Sequence, residues 1–489
     1  MQQLGRSYTN RPTTLPIKVL QFGGGNFLRA FVDHMVQVLN ETTDFNGGIA
    51  IIKPTEHGDY ATLKVQDGLF TVVLDGIKEG KLIAERTLVD CVQDIINPYS
   101  EWESYIALAE NADVRFVVSN TTEAGIKFNE EDRADDRPPK EFPAKLTAWL
   151  FHRYEFFNGD ITKGCVLLPC ELIENNGKVL QATILQYADH WALGEGFKTW
   201  ILTSNYFCST LVDRIVSGYP SERAKDLQQE LGYEDALLVA GEYYHSWVIQ
   251  APGSVQGELP FSKTGLNVSF VEDLAPYREM KVKILNGAHT AMVPVAYLAG
   301  LRLVNDAIAD PAVLQFVETL LLDEAAKTLN FPDAVTHQFV QEVLDRFRNP
   351  LLQHQLISIA LNSTSKFTSR LLPTLKEYYK SQGVLPTRIV FGLSALILFY
   401  KGNYNGQAIP LKDDVETLQF FASTWKEFDD KRLSLKDCVA LILGNRALWG
   451  EDLTQYGPMV DLVSKYTAAI SQHGVKKALA NLSVQKSKM

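Results

Sequence analysis

The sequence predicts an α/β protein in two parts, an N-terminal domain with a mostly parallel sheet and an all-α C-terminal domain. Strand-like and helix-like segments alternate through the first half of the 489 residues, whereas helical periodicity dominates the second half. A glycine-rich turn also separates the first strand from the first helix. We expect residues 1–273 to form the first domain and residues 274–489 the second.

Short apolar runs bounded by turn residues mark the strands of the first domain. They lie at 17–22, 48–52, 114–118, 164–168 and 199–202. Helical segments between them, the first at 27–39, favour parallel pairing with helices on both faces of the sheet. A charged, proline-bearing stretch at 129–143 predicts a solvated surface loop, with a mobile lid as the alternative.

From about Pro276 onward, apolar residues recur at helical spacing nearly throughout. The clearest helices are predicted at 312–329, 335–346, 368–381, 388–401 and 459–472. The segment that contains Lys281 opens this domain. A cleft between the two domains is the natural place for a ligand.

The composition argues against several kinds of partner. The net charge of −11 disfavours nucleic acid and anionic membrane, both of which reward a basic surface. The five cysteines are scattered without a C-x-x-C pair, which fits a reducing compartment. The longest apolar run, 389–400, is too short to span a bilayer. We therefore expect a cytoplasmic protein whose partner is a small molecule.

The glycine turn predicts a dinucleotide site and a Rossmann-like domain. Gly23, Gly24 and Gly25 follow the first strand directly and open a helix, so the backbone can approach a pyrophosphate at the helix N-terminus. Leu28 replaces the third glycine of the G-x-G-x-x-G pattern. The acid that usually binds the ribose is also missing unless Glu56 reaches back, so residues alone do not choose between NAD and NADP.

Polar residues in the apolar segment 281–290 predict a catalytic helix. Desolvation penalises a buried amine and lowers its pKa towards neutrality, as a general acid/base requires. At about 100° per residue, Lys281, Asn286 and His289 share a face roughly 140° wide. Lys283 would share a face with Asn286 and His289 equally well. Two solvated lysines and a satisfied core histidine are the structural alternative.

Several blocks of the chain resemble the mannitol dehydrogenase family of zinc-independent, polyol-specific long-chain dehydrogenases. Family members carry Lys, Asn and His at spacings of five and three, which selects Lys281 over Lys283. The turn Gly-x-Gly-x-Phe-x-Arg and a Val-Asp213-Arg214-Ile block also match, as do blocks at 66–71 and 121–125. Stretches at 142–147, 168–173, 242–249 and 388–401 are similar to members of the family that reduce sugar uronates.

The resemblance implies NAD-dependent hydride transfer that interconverts D-tagaturonate and D-altronate without a metal. Lys281 would be the general acid/base, Asn286 would donate to the oxygen as charge develops, and His289 would orient a neighbouring hydroxyl. The residues implied to bind the cofactor are Gly23, Gly24, Gly25, Asn26, Phe27, Arg29 and Glu123.

The substrate contacts are less fully assigned. Asp213 is expected to contact substrate, with an ion pair to Arg214 or another base as the structural alternative. Leu172 stands where the family has a carbonyl-polarising Asn, and Asn176 or its neighbour Asn175 is the expected substitute. The carboxylate of a uronate needs a basic partner, and the candidates are Lys366 and Arg370, with a solvated helix face as the alternative for Arg370.

Other functions remain open from the sequence. Fructuronate reduction and polyol oxidation differ only in the hydroxyl and the terminal group that the pocket accepts. A catalytically silent dinucleotide-binding sensor belongs to a different class, but it would not need an amine, an amide and an imidazole together. No coiled-coil or repeat signal decides whether the chain self-associates.

Overall fold

The computed structural model describes residues 1–7, 14–58, 60–121, 125–351 and 354–485. The chain divides into two compact units, Met1–Asp75 with Leu82–Leu274 and Gly76–Lys81 with Ala275–Met489. The first unit combines a parallel sheet with helices, and the second is almost entirely helical. The predicted fold class is therefore confirmed.

A six-stranded parallel sheet organises the first unit. Its strands are β1 (Ile17–Phe22), β2 (Gly48–Ile52), β3 (Val92–Ile96), β4 (Phe116–Ser119), β5 (Val166–Pro169) and β6 (Tyr206–Phe207). They pair in the order β3-β2-β1-β4-β5-β6, and every adjacent pair is parallel. This is the strand order of dinucleotide-binding Rossmann folds. All residues of β2, β4 and β5 are buried, as expected for a sheet covered on both faces.

Helices and smaller sheets complete the first unit. Helix α1 follows β1 as Asn26–Leu28, passes through a π turn at Arg29–Asp33 and continues as His34–Thr42. Helix α2 is Asn176–His190. The other helices are Ala61–Val65, Trp102–Ala107, Phe142–Phe156, Glu195–Ser204, Ala224–Leu231 and Gly253–Glu258. The smaller sheets contain Gln2–Gln3, Phe70–Lys78, Lys81–Val89, Ser209–Asp213, Val216–Gly218, Tyr233–Glu234, Val239–Glu242, Ser246–Gln250 and Val268–Val271.

The strand predicted at 199–202 is wrong. These residues lie in the helix Glu195–Ser204, and β6 follows that helix. Phe197, Trp200 and Ile201 are all buried, and the last two follow Phe197 by three and four residues. The run is therefore the apolar face of a helix, and its β-branched and aromatic residues do not decide its conformation.

One buried carboxylate holds the charged stretch 129–143. Asp132 is 1% exposed, whereas most other charged side chains of the stretch are exposed. The carboxylate of Asp132 accepts the backbone N–H of Lys140 at 2.5 Å and the hydroxyl of Tyr187 at 2.9 Å. The carbonyl of Asp132 accepts the indole N–H of Trp191 at 2.9 Å. These contacts favour an anchored surface loop over a mobile lid.

The second unit packs helices around one apolar core. The helices that carry candidate residues are α3 (Ala275–Lys281), α4 (Gly287–Leu298), α5 (Leu356–Ile359) and α6 (Ser363–Arg370). A π turn at Val282–Asn286 joins α3 to α4. The other helical segments are Val304–Ala309, Pro311–Thr319, Leu320–Ala325, Asp333–Arg348, Leu372–Gln382, Thr387–Phe399, Val415–Asp429, Leu435–Leu443, Arg446–Trp449, Met459–His473 and Val475–Gln485.

Most predicted helices of this unit occur within a few residues of their expected bounds, but the one at 368–381 is broken. Helix α6 ends at Arg370 and the next helix begins at Leu372. Pro373 lies in the first turn of that second helix, where a backbone N–H has no intrahelical acceptor and its absence costs nothing. In a continuous helix, Pro373 would remove a backbone hydrogen bond. Among the described residues, no helix is both long and apolar enough to cross a bilayer.

Candidate functional site

The carboxyl edge of the parallel sheet gathers the candidate nucleotide residues. Strands β1 and β4 are neighbours, and the strand order reverses between them. In open α/β sheets, ligands bind outside the carboxyl ends of the strands at this switch point. Here β1 leads into Gly23, and Gly23 donates its N–H to the carbonyl of Ile52 at 3.0 Å. The glycine turn therefore lies where a dinucleotide is expected.

Each of the first two glycines of the turn fills a position that a side chain would disturb. Gly23 has a φ of +114°, and a Cβ there would lie 3.2 Å from Leu28 and 3.4 Å from the carbonyl of Asn120. A Cβ on Gly24 would lie 2.9 Å from the ring of Tyr60. The N–H of Gly24 donates to the Tyr60 hydroxyl at 2.9 Å. The turn is therefore held tightly from the protein side.

The third glycine faces open space. Gly25 is exposed, and a Cβ built on it would meet nothing within 4 Å. It is also the N-cap of α1 and provides no capping side chain. The first N–H groups of a helix have no intrahelical acceptor and attract anions. Open space beside an uncapped helix start fits the pyrophosphate of a dinucleotide.

Asn26 and Arg29, two further predicted cofactor residues, support the turn. Asn26 is exposed, and its carboxamide oxygen accepts a guanidinium N–H of Arg29 at 2.7 Å. Arg29 is 6% exposed, donates to the carbonyl of Leu237 at 2.5 Å, and lies over the Phe70 ring. Burial lowers the pKa of Arg29. Its guanidinium is therefore directed at the protein and supports the loop. Phe27 is half-buried, and Glu123 lies outside the described residues.

A buried acid lies behind the turn. Asp33 ends the π turn of α1 and is fully buried, and neither carboxylate oxygen has a hydrogen-bond partner among the described residues. Burial raises the pKa of Asp33 to about 7, although Gln21 and Arg29 oppose the shift. The protonated acid is therefore favoured across much of the acidic range. Nothing in the sequence indicated this residue.

Glu171 fixes the chain after β4. Its carboxylate accepts the backbone N–H and the hydroxyl of Thr121 at 3.0 and 3.1 Å, and the hydroxyl of Ser119 at 3.0 Å. Glu171 is 2% exposed, and burial raises its pKa against these hydrogen bonds. It therefore positions the end of β4 beside the glycine turn. The sequence contained Glu171 in a family-like block but did not indicate this role.

Asn176 does not have the substrate role expected of it. Its amide donates to the carbonyls of Pro169, Glu171 and Thr210 at 2.9–3.2 Å. Its oxygen accepts the N–H of Thr210 at 2.8 Å, and the side chain is 1% exposed. These contacts use its hydrogen-bonding groups to join α2 to the neighbouring strands. Leu172, which stands at the family's Asn position, is 64% exposed.

Arg214 has a structural role that does not involve Asp213. Its guanidinium donates to the carbonyls of Ala30, Tyr243 and Tyr244 at 2.5, 3.3 and 3.2 Å. Burial lowers the pKa of Arg214 to about 10. Asp213 ends its strand and is half-buried. The contacts of Arg214 argue against an Asp213–Arg214 ion pair. Substrate contact by Asp213 stays a prediction, with a structural pair to another base as its alternative.

The predicted catalytic residues of the second unit lie in a π turn and in the two helices that flank it. Lys281 ends α3, and Asn286 ends the π turn whose closing bond runs from the N–H of Gly287 to the carbonyl of Val282. A π turn holds one residue more than an α turn, so residues five apart come nearly into line. This differs from the uniform helix that the spacing suggested, and it brings Lys281 and Asn286 onto the same side. Such turns are frequent at functional sites.

Side-chain and backbone groups of the protein already bind the ammonium of Lys283. Its ammonium donates to Glu377 at 2.6 Å, to the carbonyl of Thr328 at 2.9 Å, and pairs with Glu279 at 2.7 Å. Its side chain is 5% exposed. Lys281 is half-buried. The choice of Lys281 over Lys283, which helix geometry left open, is thus favoured by the contacts of Lys283.

Asn286 and His289 complete the cluster. The Asn286 carboxamide is half-buried and has no hydrogen-bond partner among residues 275–351 and 354–485, so its N–H groups are open to a ligand. The His289 ring lies 4.4 Å from the Phe347 ring and 5.6 Å from the His354 ring. His354 was not among the residues that the sequence indicated.

Lys366 and Arg370 form a cationic pair on α6. This helix packs against α4 and the π turn. The Lys366 ammonium donates to the carbonyl of Ile359 at 2.8 Å. Burial lowers the pKa of both cations, and that of Lys366 is lowered further by Arg370. Within the described ranges, no carboxylate lies within salt-bridge distance of either cation. Asp413 opposes the shift of the Lys366 pKa from beyond ion-pair distance. A ligand carboxylate could therefore supply a close counter-charge to this pair.

The described residues contain no group of three or more His, Cys, Asp or Glu side chains arranged to hold a metal ion. The polar groups of the π turn and its flanking helices are an amine, an amide and an imidazole. They can exchange a proton with an oxygen atom and donate hydrogen bonds to it.

Two family models together match most of the chain. Residues 17–263 match the mannitol dehydrogenase Rossmann domain, and residues 273–471 match the mannitol dehydrogenase C-terminal domain. The chain is similar to altronate oxidoreductase of Bacillus subtilis (strain 168), with 46% identity over 99% of both chains. It is 47% identical to altronate oxidoreductase of Yersinia enterocolitica, over 95% of this chain and 96% of that one.

Solved structures share the fold. A D-sorbitol dehydrogenase in substrate-free form superposes with a TM-score of 0.80 at 21% identity, over 98% of this chain and 100% of that one. The Pseudomonas fluorescens mannitol 2-dehydrogenase in a ternary complex with NAD and D-mannitol gives 0.65 at 20% identity, over 99% and 100%. Both family models match, and relatives align over nearly the whole length. The chain belongs to the mannitol dehydrogenase family.

Proposed function

We propose that this protein is an oxidoreductase that interconverts D-tagaturonate and D-altronate with NAD. The observation that carries the proposal is the near full-length similarity to proteins named altronate oxidoreductase, at 44–47% identity. The amine, amide and imidazole in and beside the π turn support a catalytic protein over a silent sensor, because binding alone needs none of them.

The glycine turn is the proposed NAD site. Gly25 and the first N–H groups of α1 would hold the pyrophosphate, while Tyr60 and Arg29 keep the turn in shape. NAD supplies or accepts the hydride when bound. The π turn of α1 and the buried Asp33 lie behind this site, and Glu171 fixes the end of β4 beside it.

Lys281 is the proposed general acid/base. During reduction it would give a proton to the carbonyl oxygen, and during oxidation it would remove the proton of the hydroxyl. Lys283 is a poor candidate, since two carboxylates and one carbonyl hold its ammonium. The half-buried position of Lys281 on the side of Asn286 suits proton transfer to an oxygen that Asn286 also contacts.

Asn286 is the proposed stabiliser of the developing negative charge. Its carboxamide has N–H groups open to a ligand, and one donor of this kind is worth about 3 kcal/mol in a transition state. His289 would orient a hydroxyl next to the reacting carbon, with its ring supported by Phe347. Asp213 remains a proposed substrate contact from the first unit.

The carboxylate of the sugar acid is proposed to bind Lys366 and Arg370. Both cations are half-buried and lack an acidic partner among the described residues. Charge-assisted hydrogen bonds from such groups are stronger than neutral ones. Such a pair would favour a uronate over an uncharged ketose, which offers no anion.

The test is NADH oxidation by the purified protein with tagaturonate, fructuronate and fructose side by side, in the presence of a chelator. We expect chelator-resistant turnover with tagaturonate well above that with the other two. Preference for fructuronate or fructose would overturn the substrate assignment. Binding of NADH without turnover of any of the three would favour the sensor.

A further inference from the structure

A second imidazole lies beside the predicted catalytic histidine. The rings of His289 and His354 are perpendicular, with an interplanar angle of 77° and centroids 5.6 Å apart. The two residues come from separate parts of the second unit, since His289 lies in α4 and His354 precedes α5. Their proximity is therefore produced by the fold.

The backbone of His354 is firmly placed. Its carbonyl accepts the N–H of Val304 at 3.0 Å, and the next residue, Gln355, forms a bridge with Leu303. Helix α5 then packs against α4, which carries His289. These contacts fix the backbone position that carries the His354 ring.

The His354 ring has unused hydrogen-bonding capacity. It is half-buried, and neither ring nitrogen has a hydrogen-bond or carboxylate partner among the residues that the structure describes. Burial lowers the pKa of His354, so the neutral ring predominates at neutral pH. A neutral imidazole has one N–H donor and one nitrogen acceptor. That combination matches a hydroxyl group, which also donates and accepts.

Two other residues of this unit are proposed to bind the carboxylate of the substrate. Lys366 and Arg370 on α6 carry the positive charge that a carboxylate needs, and α6 packs against the same helix α4 as α5 does. His354 would add a neutral contact to these two cationic ones. The chemistry of the three side chains thus assigns the carboxylate to the cations and a hydroxyl to the imidazole.

We propose that His354 is a further substrate-binding residue, which hydrogen-bonds a hydroxyl of the sugar chain next to the hydroxyl held by His289. The inference rests on the proposed function, because it requires a polyhydroxy acid at the π turn. It assigns to His354 a part in recognition that is common to ketoses and ketouronates.

Three variants separate hydrogen bonding from packing: His354→Phe and His354→Leu remove both ring nitrogens, and His354→Asn keeps a donor and an acceptor. We expect the Phe and Leu variants to lose roughly 10- to 100-fold in kcat/KM, and the Asn variant to lose less. NADH affinity and Tm should match those of the parent. His337→Asn is the matched control, because His337 is exposed on the helix Asp333–Arg348.

The comparison is made on tagaturonate, fructuronate and fructose, each relative to the parent enzyme. We expect similar fold losses on all three, since each carries the hydroxyl groups. Parental activity of His354→Phe, or a larger loss for Asn than for Phe, would overturn the proposal and leave a packing role. A loss confined to the two uronates would also overturn it, because His354 would then serve the carboxylate. If the unmodified enzyme prefers fructuronate, the proposed function is refuted. The ratio of kcat/KM between each variant and the unmodified enzyme still tests the role of His354.

Discussion

Replacing Lys283 tests whether the two lysines of the catalytic segment have different roles. Lys283→Met removes an ammonium that is 5% exposed and lies 2.6 Å from Glu377, 2.7 Å from Glu279 and 2.9 Å from the carbonyl of Thr328. Both carboxylates are about half exposed, at 51% and 47%, so water can replace the lysine there. The remaining loss of stability comes from the carbonyl of Thr328, which loses its donor, and from changed packing in the apolar segment.

We estimate this cost at about 2–3 kcal/mol, below the figure for a fully buried ion pair because the partners are solvated. For a unit of this size, that lowers Tm by roughly 4–12 °C. The assay is thermal unfolding together with steady-state kinetics below the transition. The folded fraction should keep kcat within an order of magnitude.

Lys281→Met is the matched control, because it removes the same charge two residues earlier. We expect it to keep the parental NADH affinity but to lose most of kcat. The reverse pattern, with kcat lost in Lys283→Met at unchanged Tm, would refute the assignment and make Lys283 the acid/base.

Five other substitutions have separable outcomes. Asn286→Ala should lower the single-turnover rate roughly 100-fold at unchanged NADH affinity, since one oxyanion donor is worth about 3 kcal/mol; an unchanged rate would remove the amide from the mechanism. Lys366→Gln should raise KM for uronates roughly 10-fold or more while KM for fructose stays constant, and equal effects would contradict carboxylate binding. Gly25→Val should weaken NADH binding in calorimetry at parental Tm, whereas Gly24→Ala should lower Tm through the 2.9 Å approach to a neighbouring ring. For Asp33→Asn, urea unfolding should give a stability advantage over the parent that grows from about pH 4 to about pH 7 and then levels off, and a constant difference would show that Asp33 does not titrate as proposed.

The sign of the Asp33 effect follows from its raised pKa. The folded state keeps the proton up to about pH 7, whereas the unfolded chain releases it near pH 4. Between these values the folded state holds more protons, so the free energy of unfolding falls as the pH rises. Asparagine imitates the protonated acid and does not ionise, and its variant therefore escapes this loss.

Sequence patterns predicted the sheet and most helices because burial there follows local periodicity. The strands at 17–22 and 48–52 have the predicted bounds, since each is an apolar run between turn residues. The error at 199–202 arose where a short apolar run fits either conformation, and only the spacing of Phe197, Trp200 and Ile201 favours a helix.

The site was harder to predict because its contacts join distant parts of the chain. Glu377 lies 94 residues from Lys283, and Tyr60 lies 36 residues from Gly24, so neither contact leaves a local signal. The periodicity of apolar residues does not reveal the π turn either, because one extra residue in a turn shifts the helical register without changing the amino-acid composition. The expected role of Asn176 failed for the same reason, since its partners come from neighbouring strands.

The most direct test of the proposed function follows the hydride and the product. The protein is incubated with tagaturonate and NADH that carries deuterium in the transferable position at C4 of the nicotinamide, and the sugar acid is analysed by NMR. We predict altronate with one deuterium on the carbon that bore the keto group. A product of the other configuration at that carbon, or altronate without deuterium, would contradict direct hydride transfer to tagaturonate in this site.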